Sequence, residues 1–62
     1  MNKNIINIVS GNTTVDTYLL LEDESFIEFY KSLVIINDDE ITVINKLTEW
    51  ANTNYWLIRN AL

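Results

Sequence analysis

Seven carboxylates fall into two short groups in this chain: Glu22, Asp23 and Glu24 with Glu28, and Asp38, Asp39 and Glu40. Their chemistry is the first thing to place. Ser10, Ser25 and Ser32 could serve as nucleophiles only beside an activating base, and the chain has no His and no Cys. Gly11 is the sole glycine, so a glycine-rich loop that cradles phosphate is excluded. A calcium loop needs oxygen ligands at alternate positions, a central Gly and a terminal Glu, and neither acidic group has that spacing. Paired acids also suit glycoside hydrolysis, but 62 residues do not easily enclose a sugar cleft. The expectation is therefore no catalytic residue, no metal and no cofactor: a binding protein, not an enzyme.

The totals narrow the kind of binding. A chain of 62 residues forms one domain, residues 1–62, and a core of that size supplies only about 3–5 kcal/mol. Disulfides and thiolate metal sites are unavailable, which leaves a second subunit as the staple. Apolar residues make up 48%, with two Trp, three Tyr and two Phe, so we expect a homodimer. The net charge of −5 argues against nucleic acid as the partner, since that affinity comes from Lys and Arg neutralising phosphates. It suits a partner with a basic groove, although modest acidity also simply keeps small proteins dissolved. No apolar run approaches the ~18 residues of a membrane span. The opening Met1-Asn2-Lys3-Asn4 lacks the signal-peptide pattern, so the expected compartment is the cytoplasm.

The acids must be positioned by few elements. Ile5-Ile6-Asn7-Ile8-Val9 is a strand or a helical turn; its length does not decide. Thr13–Glu22, rich in Thr, Val and Tyr, reads as a strand, and the polar Glu22-Asp23-Glu24-Ser25 as a hairpin turn. Phe26–Ile36 reads as a second strand. A competing reading makes Asp23–Leu33 a helix with Phe26, Ile27, Phe29, Tyr30 and Leu33 as its stripe. Residues 37–52 read as a helix, with Asn37 as N-cap paired to Glu40 and Ile41, Ile44, Leu47 and Ala51 at helical spacing, widened by Val43 and Trp50. The segment from Tyr55 to Leu62 reads as a last strand. The expected fold class is thus α+β, a small antiparallel β-β-α-β sheet with one amphipathic helix on one face. The uncovered face, with Tyr18, Leu20, Phe26 and Tyr30, would meet the second subunit.

On that scaffold the carboxylates border an apolar surface. Spaced carboxylates can stand in for phosphates, and a basic groove's own field then steers the mimic into place. The runs Leu19-Leu20-Leu21-Glu22-Asp23, Phe26-Ile27-Glu28-Phe29-Tyr30-Lys31-Ser32-Leu33 and Asn37-Asp38-Asp39-Glu40 resemble the small uracil-DNA glycosylase inhibitors of small Bacillus phages, over about residues 16–62. The resemblance implies a homodimer of antiparallel sheet and helices, a DNA-mimic edge in the glycosylase groove, and an apolar pocket that captures the enzyme's minor-groove wedge side chain. Carried over by motif, Glu28 and Glu40 are the contacting acids. Glu24-Ser25-Phe26 looks like the Glu-Ser-apolar segment shared by other glycosylase inhibitors, which adds Glu24 and Ser25. Where the family has an aromatic before the helix-start Glu and another further along, this chain has Asp39 and about Val43. Ile41, Val43, Ile44 and Leu47 would line the pocket in their place. Two alternatives share the composition: another acidic phage antagonist, aimed at a CRISPR nuclease or a restriction enzyme, and an interaction module without groove mimicry.

Overall fold

The computed structural model describes residues 3–36 and 38–60, Lys3 by its backbone alone. These residues form five helices: α1 (Lys3–Gly11), α2 (Thr17–Glu22), α3 (Glu24–Ile35), α4 (Glu40–Thr53) and α5 (Tyr55–Asn60). No strand occurs among the described residues. The protein is all-α, and the expected α+β sheet is overturned.

Each expected strand gives way for a local reason. Residues 13–15 bend instead of extending. The Ser10 hydroxyl donates to the Val15 carbonyl at 2.9 Å, and the Val15 N–H donates to the Thr13 hydroxyl at 3.1 Å. Side chains of this kind satisfy the backbone locally and so compete with a ladder. Asp23, at φ −81° and ψ 112°, ends α2 and starts α3. Its carboxylate accepts from the Phe26 N–H at 2.7 Å, an N-cap that satisfies one of the free donors of the first turn. Glu24 follows in that turn, where the helix dipole favours an acid.

From that cap the helical spacing of Phe26, Tyr30 and Leu33 takes over, and all three are buried. The second strand therefore falls and its helical competitor stands. The last strand is also a helix as far as Asn60, with Ile58 turned inward; residues 61 and 62 lie outside the described residues. The helix expected from residue 37 begins at Glu40, and Asp39 is its N-cap, accepting from the Thr42 N–H at 2.7 Å. Asn37, the expected cap, lies outside the described residues.

All five helices feed one core. Ile5, Ile6 and Val9 of α1 join Val15, Leu20 of α2, Phe26, Tyr30 and Leu33 of α3, Val43, Leu47 and Ala51 of α4, and Ile58 of α5. Helix α1 packs on α2 and α4, α3 on α2 and α4, and α5 on α2. Trp50 ties α3 to α4: its ring lies 5.7 Å from that of Phe26 and stacks 6.1 Å from that of Phe29. No polar or charged residue is buried among the described residues.

The apolar face reserved for a second subunit does not exist as drawn, since Leu20, Phe26 and Tyr30 are core residues of the single chain and only Tyr18 is exposed. The radius of gyration is 10.5 Å, against about 10.6 Å for a self-contained domain of this length. Nor is any helix among the described residues long and apolar enough to cross a membrane.

Leu47→Ala should lower unfolding free energy by about 2–5 kcal/mol, most of what a core this small provides. Ile41→Ala, at a position 73% exposed, should change it by less than ~0.5 kcal/mol. Urea unfolding followed by circular dichroism measures both, and equal costs at the two positions would contradict this core.

Candidate functional site

Burial sorts the site residues expected from the sequence. Glu24, Ser25 and Glu28 are exposed on α3, and Glu40 is exposed at the start of α4. Ile41 is exposed, Ile44 is half-buried, and Val43 and Leu47 are core residues. A pocket lined by Ile41, Val43, Ile44 and Leu47 is thus absent as a surface feature. Val43 and Leu47 point inward because the buried stripe of α4 runs 43, 47, 51, one register removed from a stripe that starts at Ile41.

The rotation of α3 decides what the acids face. With Phe26, Tyr30 and Leu33 inward, Glu24, Glu28, Lys31 and Ile35 recur at i, i+4, i+7 and i+11 on the outward side, all exposed. Lys31 and Ile35, with Tyr30 and Val34, line an open hollow of about 470 Å³. Tyr30 is nearly buried and forms its floor, while Ile35 is 82% exposed at its rim. From Glu28 to Ile35 is about 10 Å along the helix axis, and from Glu24 about 16 Å. Beyond Ile35 the chain turns through Ile36 into Asp38, Asp39 and Glu40. The one charge lining the hollow is the Lys31 ammonium, and Glu24 and Glu28 precede it on α3. Val34, Ile35, Ile36 and Ile41 are each exposed.

The carboxylates differ in how free they are. Asp38 accepts from the Lys46 ammonium at 2.8 Å, an exposed pair of the kind that contributes about 0–1 kcal/mol. Asp39 is committed to its cap. The Thr42 hydroxyl, then the Thr42 N–H, hold its carboxyl below the ordinary value, with a smaller contribution from Lys46. Glu24, Glu28 and Glu40 have no ion-pair partner among the described residues.

A second hollow, of about 340 Å³, lies between Phe29 of α3 and Lys46, Glu49, Trp50 and Thr53 of α4, with the C-cap Asn54. Its charges are one ammonium and one carboxylate, so it has no net sign to select a partner. No cluster of three or more acids capable of holding a metal ion occurs among the described residues.

Comparison with family models, characterised proteins and solved structures finds no match.

Sequence reasoning missed the hollow because a strand over 26–36 puts Glu28 and Tyr30 on one face and Lys31 and Ile35 on the other. The signal that could have found it is the pair of spacings already noted, Phe26-Tyr30-Leu33 inward and Glu24-Glu28-Lys31-Ile35 outward, read together at a period of 3.6.

Because the folded pKa of Asp39 is lowered from 3.8, its stabilisation is fully present above that ordinary value and fades as pH falls through the lower folded one. Asp39→Ala should therefore melt below the parent protein at neutral pH, and the gap should narrow as the pH falls below the ordinary carboxylate value. Thermal unfolding across that range measures it; an undiminished gap in acid would show that the carboxylate is not the cap.

Proposed function

We propose that this chain is a non-catalytic binding protein that occludes a cationic surface of another protein. The supporting observation is that Glu24 and Glu28 on α3 and Glu40 at the start of α4 stand exposed with no ion-pair partner among the described residues, and that α3 also carries an open apolar hollow. Such an arrangement attracts a basic surface at long range and then offers it apolar contact. Specificity comes from the fixed spacing of the acids on rigid helices, and affinity from whatever apolar side chain enters the hollow.

A narrower reading is inhibition of uracil-DNA glycosylase by DNA mimicry. The runs shared with that inhibitor family favour it, above all the Glu28 and Glu40 positions, both exposed on this protein. The sheet implied by the same resemblance is not this fold, so the narrower reading rests on those runs alone. Here any pocket for a wedge side chain is the Tyr30, Lys31, Val34 and Ile35 hollow.

Immobilised protein should retain a basic partner from host lysate at low ionic strength and release it at high, because exposed charges are screened beyond ~10 Å at 0.1 M salt. The Glu24→Gln, Glu28→Gln, Glu40→Gln triple variant should retain at least about tenfold less. Retention indifferent to both salt and the triple variant would contradict the proposal. For the narrower reading, uracil excision by a purified glycosylase should fall at stoichiometric protein. Unchanged excision at several-fold excess removes the glycosylase and leaves the broader reading.

A further inference from the structure

We infer that the hollow on α3 binds a small amphiphilic anion: a carboxylate head on an apolar tail, of the medium-chain fatty-acid class. Such a site is separate from the contact with a protein partner proposed above. Tyr30, Lys31, Val34 and Ile35 surround about 470 Å³ of open space. Val34 is 56% and Ile35 82% exposed, so their apolar surface is unspent on the core. The one charge in that lining is the Lys31 ammonium.

The state of Lys31 selects the charge of the occupant. Of the cations whose side chains are described, Lys46 is paired with Asp38 at 2.8 Å, and Arg59 donates to the Tyr55 hydroxyl and lies over its ring. Lys31 alone has neither an ion pair nor a hydrogen bond from its side chain among the described residues. Glu28, one turn before it, neither lines the hollow nor pairs with it. The Tyr30 hydroxyl also makes no hydrogen bond among the described residues, and it is not sealed from solvent. The residues of one hollow thus carry two open donors, one of them charged, beside apolar side chains. A carboxylate accepts from donors of this kind, while its tail lies on Val34, Ile35 and the lysine stem. One cation matches one negative charge, not the run of phosphates of a nucleic acid, which takes several. An anionic bilayer is a poor occupant, because an extended surface also meets the exposed Glu24 and Glu28 of the same helix.

Titration of the whole isotope-labelled protein with octanoate, octanol and octylammonium, all kept below self-association and followed by backbone amide shifts, tests the site. Octanoate should move Tyr30, Lys31, Val34 and Ile35 most. It should bind about two- to fivefold tighter than octanol, the gain of one exposed ion pair, and tighter again than octylammonium. Decanoate should bind more tightly than octanoate, by up to about tenfold for its added methylenes, and acetate should leave the shifts unchanged.

Lys31→Gln, at an exposed position, should keep the helical circular dichroism and erase the preference for octanoate over octanol. Val34→Ser with Ile35→Ser, both also exposed, should weaken octanoate and octanol alike, by about tenfold. Octylammonium binding as tightly as octanoate, or a Lys31→Gln protein that keeps the preference, would overturn the assignment. So would shifts centred on the hollow beside Phe29 and Trp50, or on the exposed Trp56 and Leu57 of α5. A concentration-dependent dimer in sedimentation that the Val34→Ser, Ile35→Ser variant abolishes would overturn it too, since a second copy then fills the hollow. Any of these results leaves the capture of a basic partner standing, because salt and the Glu24→Gln, Glu28→Gln, Glu40→Gln variant test that reading separately.

Discussion

Phe26 sits fully buried with its ring against Trp50, and that contact fixes how α3 is rotated about its own axis. Once Phe26 points inward, the 100° step of the helix carries Tyr30 and Leu33 inward with it. The same step carries Glu24, Glu28, Lys31 and Ile35 outward. Trp50 performs this from α4, stacking on Phe29 as well, so one indole sets both the pairing of the two longest helices and the composition of the face they leave exposed. The Asp23 cap supplies the other constraint, because it fixes the residue at which α3 begins.

A chain of this length has little free energy to spare. Its core draws on every helix and on Val15 from the connecting bend. No single element buries enough apolar area to fold alone, and short helices such as α2 and α5 are marginal in isolation. They persist because Leu20 and Ile58 are buried with the rest. The accessible surface of 4188 Å² matches the roughly 4,200 Å² expected for a compact monomer of 7.3 kDa. The apolar residues that suggested a second subunit are mostly consumed within the one chain. What stays outside, Ile8, Tyr18, Val34, Ile35, Ile36, Ile41, Trp56 and Leu57, is surplus to folding and so available for function.

The helix of α4 was legible because its signals agree: acids before the first turn, then apolar residues at three- and four-residue spacing. The helix of α3 was legible only as a competitor. Val34-Ile35-Ile36 and the aromatic residues carry strand preference, but that preference describes fit to a half-buried pleated surface, and the described residues contain no neighbouring strand to provide one. Thr13–Glu22 misled for a related reason. Its Thr residues bend the chain through side-chain bonds, and Leu19-Leu20-Leu21 suits a helix as well as a strand. Glu24, Glu28, Asp39 and Glu40 stand exposed, as expected of carboxylates, which are costly to bury unpaired. The hollow was not legible, because a strand over 26–36 parts Tyr30 and Val34 from Lys31 and Ile35, whereas successive turns of one helix bring the four around a single hollow.

The sharpest single measurement is the set of backbone Cα chemical shifts across residues 24–35 of the intact protein in solution. Helical shifts without interruption from Glu24 to Ile35 are the predicted result, and they place Glu24, Glu28, Lys31 and Ile35 on one outward side. Extended-chain shifts over 26–35 would split those residues between two faces, dissolve the hollow, and contradict the account at its root.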